Sequence, residues 1–260
     1  IHAGEIHSIL HGQNFNDVQG QLDLQNILFD SRQHIAQQHI STIHAHAQGQ
    51  GEQRKIQVES DMLDASLSGG VDFYTLASYF QGMANRYMPS LALAKKESGE
   101  QAFALELQIK KGFEHVAGFL SPSLYLADSS SFSGHFSPQT TAFELKIPEL
   151  HLGPIHTQHL QITQQAGTEA LDMEVQARET LLYGRQTIPY LAISQTLQND
   201  RLNYTIHATD TLRQHEAHLH GQLVFLPDRQ IDLHSFASEL LLNGRKWLVG
   251  ETRATIHPDW

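Results

Sequence analysis

Along most of the chain every second residue is apolar, and this alternation predicts strands that bury one face and wet the other. In the first 70 residues it comes in short pieces: Leu22 and Leu24; Ile43, Ala45 and Ala47; Ile56, Val58 and Met62; then Ala65, Leu67, Gly69, Val71 and Phe73. Gly and Asn/Asp punctuation between the pieces predicts tight turns. The rhythm changes after Thr75. Leu76, Tyr79, Phe80, Met83 and Tyr87 follow the i, i+3, i+4, i+7 spacing of one helical face, so a helix is predicted, capped by Thr75 and closed by Pro89. Alternation resumes at Phe103, Leu105, Leu107 and Ile109. A second, shorter helical pattern follows at Phe113, Val116, Ala117 and Leu120, ended by Pro122.

Beyond Leu124 the chain reads as strands alone: Phe143, Leu145 and Ile147, then Ala217, Leu219, Leu223 and Phe225, then Ile231 and Leu233. Between these runs a 31-residue spacing recurs. Gly153 falls on Gly184, Leu160 on Leu191, Ile162 on Ile193, Gln164 on Gln195, Leu171 on Leu202, Met173 on Tyr204, Val175 on Ile206 and Ala177 on Ala208. Each repeat reads as two half-buried strands and a turn. Leu181–Arg185 is echoed sixty residues later by Leu241–Arg245, which predicts a further hairpin.

Consecutive hairpins with short turns make an antiparallel meander with one apolar face, and that face must be covered. A closed barrel, a two-sheet sandwich or a sheet curled lengthwise into a trough would each do so. Repeats favour the trough, whose cross-section can be copied indefinitely, whereas a barrel closes at a fixed strand number. The expected fold is mostly β: a long antiparallel meander curled into a groove, with one or two short inserted helices. It is one elongated segment over 1–260, with strands and two helical insertions in 1–140 and repeated hairpins in 141–260. About a dozen strands would make a trough on the order of 60 Å long.

Composition narrows the function. A net charge of −11 disfavours a nucleic-acid partner, which needs a basic stripe. With no cysteine, disulfides and thiolate metal sites are excluded. No run of 18 apolar residues is present, and the first residues lack a signal-peptide pattern, so the sequence reads as an internal excerpt of a longer polypeptide.

Candidate chemistry is sparse. His215-Glu216-Ala217-His218 is one residue short of the zinc-protease spacing, and Gly49-Gln50-Gly51 lacks the third glycine of a dinucleotide loop. Glu106, Glu144 and Glu149 lie on polar strand positions, where solvated charge is the default. A glycosidase-like pair of facing carboxylates is a question of proximity that one sequence leaves open. The 18 histidines include His215, His218 and His220, and His44 with His46. His218 and His220 share a strand face, yet they occupy outward positions where a neutral side chain suits a strand, so no metal site and no cofactor are assigned. Protonating all 18 would take the net charge from −11 to +7. Trp247 and Trp260 read as packing residues.

Three passages resemble the TamB/AsmA-like family of envelope proteins in its Bacteroidetes form. The first is Leu67-Ser68-Gly69-Gly70-Val71-Asp72-Phe73, running into the helix that closes at Tyr87-Met88-Pro89-Ser90-Leu91. The second is Leu120-Ser121-Pro122-Ser123-Leu124-Tyr125-Leu126-Ala127-Asp128 with Ser133-Gly134-His135-Phe136. The third is Phe225-Leu226-Pro227-Asp228-Arg229 with Ser238 to Trp247. The resemblance implies a periplasmic, largely β protein, tethered in its full form to the inner membrane by a segment absent here. It also implies a greasy interior, and either phospholipid transport toward the outer membrane or assistance to outer-membrane barrel assembly. An outer-membrane barrel partner would be met through regions outside this excerpt.

On that reading phospholipid or another acyl-chain ligand lies on the apolar face. The wall residues are Phe103, Leu105, Leu107, Ile109, Phe143, Leu145, Leu160, Ile162, Leu171, Met173, Val175, Leu191, Ile193, Leu202, Tyr204, Ile206, Leu223 and Phe225. The helix residues Leu76, Tyr79, Phe80, Met83 and Tyr87 form a plug. The plainer alternative makes these same side chains the dry core of a sandwich, with the helix face as ordinary packing.

Overall fold

The computed structural model describes residues 2–29, 38–92, 100–113, 121, 123–184, 186–210, 212 and 214–257. Among them are 18 strands in one antiparallel sheet. The first five are β1 (His2–His11), β2 (Gln19–Phe29), β3 (Gln38–Gln48), β4 (Lys55–Ser60) and β5 (Leu63–Gly70). Helix α1 (Leu76–Tyr87) follows, and then β6 (Ala102–Ile109), β7 (Leu124–Leu126), β8 (Ser131–Phe136) and β9 (Thr141–Leu152). The repeat region supplies β10 (Ile155–Ala166), β11 (Leu171–Leu182), β12 (Gln186–Gln198) and β13 (Arg201–Thr209). The last strands are β14 (Glu216–Phe225), β15 (Ile231–Ser235), β16 (Ser238–Leu242), β17 (Arg245–Val249) and β18 (Thr252–Ile256).

Each strand pairs with its neighbour in sequence, save where a rung is broken in two. β7 and β8 pair with successive stretches of β9, and β15 and β16 with successive stretches of β14. β17 and β18 in turn pair with β16 and β15. Counting each split pair once, 18 strands make fifteen rungs, and fourteen gaps of about 4.8 Å give a sheet about 67 Å long. Among the described residues β1 pairs only with β2 and β18 only with β15, so the sheet is an open, curled groove and not a barrel.

A crease runs along the groove where the alternation skips. The inward side chains come at intervals of two along a strand, then once at an interval of three: Leu24 to Ile27, Ile40 to Ile43, Ile147 to Leu150, Thr157 to Leu160, and Ala177 to Thr180. Ile27, Ile40 and Met62 are buried together with Leu24 and Ile43 against them. Ile147, Leu160 and Ala177 form a second buried cluster with Leu150 and Leu191, and Thr157 and Thr180 are buried and hydrogen-bonded at 2.8 Å. The skip needs an extra residue, and the backbone accommodates it with positive φ at Asn26 (53°), His159 (48°) and Glu179 (48°). Prolines stand opposite two of them. The register places Pro148 across from His159 and Pro189 across from Glu179, at irregularities in the ladder where a missing N–H is tolerated.

Helix α1 lies along one rim of the groove and crosses three successive hairpin turns. Tyr79 donates its hydroxyl to Ser137 O at 2.9 Å and Tyr87 to Gly167 O at 2.5 Å, while Asp200 N donates to Tyr87 O at 2.8 Å. Turns on one rim recur every two rungs, about 9.6 Å, so three span about 19 Å; a twelve-residue helix is about 18 Å long. Thr75 does not cap this helix with its side chain as the sequence suggested. Its hydroxyl instead donates to Asp72 Oδ2 at 2.8 Å, and Asp72 also accepts from Asn16. The helix ends at Tyr87, and Pro89 opens a short 3-10 turn, Pro89–Leu91. The second expected helix falls on residues 114–120, outside the described residues; Phe113 packs on the cluster around Met62. Trp247 is 56% exposed and so does not pack, because β17 is an outer strand of the last hairpin; Trp260 lies outside the described residues.

Candidate functional site

The register assembles the alternating side chains into rows across the strands. One row runs Leu22, Ala45, Val58, Ala65, Leu107, Phe132, Leu145, Ile162, Val175, Ile193, Ile206 and Leu219, one residue from each of twelve neighbouring rungs. Every member is apolar, and every member is half-buried. A side chain in a packed two-layer core would be nearly inaccessible, so half-burial along the whole row means that its flanks are shielded by sheet neighbours while its top is not covered. The sandwich alternative would have closed this row.

Two parallel rows differ in character. Toward the helix, Leu105, Gly134, Phe143, Gln164, Met173, Gln195, Tyr204 and Gly221 pair in succession, mixing polar and small residues with apolar ones. Nearest the helix rim, the row is filled. Phe103 and Phe136 stack at 4.9 Å and pack with Tyr79, and Leu171, Leu202 and Phe225 pack around Tyr87, Ala166 and Leu197. Phe103, Leu160 and the residues beneath Tyr87 are therefore packing, and not free wall. Leu223 continues the rim row beside Leu202. Ile109 ends β6 opposite Leu63, and Leu191 packs at the crease.

Of the helix residues, Tyr79 and Tyr87 are buried, Leu76 and Met83 contribute to the same clusters, and Phe80 stays 37% exposed while meeting Phe136 edge-on at 5.6 Å. Burial pushes the Tyr79 hydroxyl above its ordinary range, so it remains a protonated donor.

At the β1–β4 end the inner face deepens into an apolar hollow of about 560 Å³, lined by Leu10, Phe15, Val18, Leu22, Ile56, Phe73 and Tyr74. Arg54, 1% exposed, lies at its edge and donates to the carbonyls of Phe15 at 2.8 Å, Val18 at 3.3 Å and Asn16, pinning the loop that carries Phe15 and Val18. No family model, curated protein or solved structure matches this chain. What the site does must be read from its own residues.

The outer face is polar. Glu106 and Glu144 both face a shallow hollow there, with Ser133 between them in the ladder. Lys146 and Gln161 each donate to Glu144 at 2.7 Å, and the lysine bond holds this carboxyl below its usual range. A general acid needs the opposite shift, so Glu144 has the electrostatics of a solvated ion-pair carboxylate. Glu149 likewise faces outward, hydrogen-bonded to His151 and His156.

Sequence reasoning placed the wall in β6 to β14 and missed the hollow at the β1 end. Leu22, Ile56 and Phe73 carried an alternation signal there, but Phe15, Val18 and Tyr74 sit in loops, where periodicity is silent. Arg54 also lacked any signal: its role depends on a loop 36 to 39 residues away.

Proposed function

We propose that this chain is a non-enzymatic lipid-conducting segment of a periplasm-spanning protein of the TamB/AsmA-like kind, in which phospholipid acyl chains lie on the apolar inner face on their way to the outer membrane. The observation that carries the reading is the twelve-residue apolar row that crosses the sheet half-covered from end to end.

The energetics favour such a surface. A diacyl lipid exposes roughly 30 methylene and methyl groups, and at about 0.8 kcal/mol each their hydration costs about 24 kcal/mol. A carrier must therefore offer continuous apolar contact, and the ladder of an open sheet offers it with its backbone polar groups already paired. Contact of this kind has no preferred direction along the row, so chains slide and no reactive residue is required. The mixed row beside it, with half-buried Gln195 and Tyr204, suits the transition from acyl chain to polar headgroup. Helix α1 covers only the rim, leaving the central row open.

One observation favours a second reading, a chaperone-like module for outer-membrane barrel assembly. The outer edge of β1, ten residues long, has no strand partner among the described residues, and an unpaired edge can accept a strand by main-chain pairing. Extraction of the purified protein followed by lipid mass spectrometry separates the two. Stoichiometric phospholipid, lost on Ile193→Asp with the fold retained, fits conduction; lipid-free protein that binds extended barrel-strand peptides fits chaperoning and rules conduction out.

A further inference from the structure

We propose that the outer face carries two matching sites for a divalent cation of the zinc class, one made by Glu149, His151 and His156 and the other by His207, Glu216 and His218. In each set the three ligand atoms lie within 4.8 Å of one another. The two sets were built separately by the chain, with corresponding residues 51 to 67 positions apart, yet their layout is the same.

In each, two histidines occupy directly opposed positions on adjacent strands, His151 with His156 across β9 and β10, and His207 with His218 across β13 and β14. The glutamate sits two residues before one of them on the same strand, hence on the same face. Both imidazoles present Nε2 to one carboxylate oxygen: 2.9 and 2.9 Å at Glu149, 2.9 and 3.2 Å at Glu216. The ring centroids are close in both, 4.0 Å apart and tilted in the first pair, 4.3 Å apart and stacked in the second. A tyrosine on the next strand borders each cluster, Tyr125 at 5.0 Å from His151 and Tyr190 at 5.9 Å from His207.

Ordinary surface hydrogen bonding explains one carboxylate beside one histidine. It does not call for both histidines to converge through the same nitrogen on one oxygen, twice. A tetrahedral zinc with ligands at about 2.0–2.1 Å sets them about 3.3 Å from each other, so side-chain adjustments that close each set from within 4.8 Å to that spacing convert either cluster into a three-ligand site. Two imidazoles and one carboxylate are a donor set suited to zinc, with a fourth position open to water or another donor. Bound there, the cation would clamp β9 to β10 and β13 to β14 near turns on the same rim, outside the groove and independent of whatever the groove holds.

The test is equilibrium dialysis of the full chain against zinc ion alone, with cobalt as a spectroscopic substitute. The expected result is two ions per chain, one after His151→Ala with His156→Ala, one after His207→Ala with His218→Ala, and none with all four. His135→Ala, an exposed outer histidine away from both clusters, should leave two. Should an alanine variant unfold, Glu149→Gln and Glu216→Gln keep the shape and should each weaken one site at least about tenfold. Binding that is indifferent to these substitutions, or no better than that of the other histidines, overturns the proposal, as does a cobalt spectrum without tetrahedral bands.

Discussion

The hydroxyl of Tyr87, at the last turn of α1, donates to the carbonyl of Gly167 at 2.5 Å, joining residues 80 apart in the chain. Its ring is 1% exposed among Ala166, Leu197 and Phe225, so this one side chain ties the helix to the groove rim by both packing and a hydrogen bond. Tyr87→Phe removes only the bond and should cost about 1 kcal/mol, whereas Tyr87→Ala should cost about 3–5 kcal/mol. Denaturant unfolding measures both. Hydrogen exchange should place the loss of protection first in residues 76–87, because the strands are held by their own ladder.

The crease stores backbone strain at residues that carry side chains in the left-handed region. Glu179 has φ 48° and is exposed, so replacing it with glycine relieves the conformation without removing a contact. Glu179→Gly should stabilise by up to about 1 kcal/mol, and Glu179→Val should destabilise by at least as much, since a β-branched residue resists that conformation. A shift of the two midpoints in opposite directions is the expected reading.

Gly221 lies beneath Tyr204 on the inner face. A Cβ there would fall 2.5 Å from the His234 carbonyl and 2.5 Å from the Tyr204 hydroxyl. The tyrosine can swing aside but the carbonyl belongs to the neighbouring strand, so Gly221→Ala should cost about 1–3 kcal/mol by thermal or denaturant unfolding.

Asp72 makes the entry to α1 pH-sensitive. Hydrogen bonds from Asn16 and Thr75 hold its carboxyl below the ordinary value of 3.8. Folding thus favours the ionised form: this stabilisation is complete above the unfolded-state value and disappears as pH falls through the lower folded-state one. Asp72→Asn should therefore be less stable than the parent at neutral pH and converge toward it between about pH 5 and pH 2.

How much of this was written in the residues can be judged at particular places. Alternation at Phe143–Ile147 and across the 31-residue repeats marked the strands, and the spacing from Leu76 to Tyr87 marked the helix, because both patterns are local. The open groove also followed, from repetition without a closing number. The crease was visible only as a skipped beat: Ile147-Pro148-Glu149-Leu150 reads as an interrupted strand, and nothing local says that His159 and Glu179 continue the same line. Helix docking depended on turns 58 to 113 residues further on, which no periodicity encodes. The twin histidine clusters needed the register itself, since His218 was paired in sequence with His220 but in space with His207.

The central claim is that the inner row touches acyl chains and the outer face does not. A photo-crosslinking residue placed singly at Val175, Ile193 and Ile206 on the inner face, and at Glu174, Ser194 and Thr205 on the outer, tests it most directly in cells making radiolabelled phospholipid. The account predicts lipid adducts at the three inner positions and none at the outer three. Equal labelling of both faces, or none on the inner one, would contradict it.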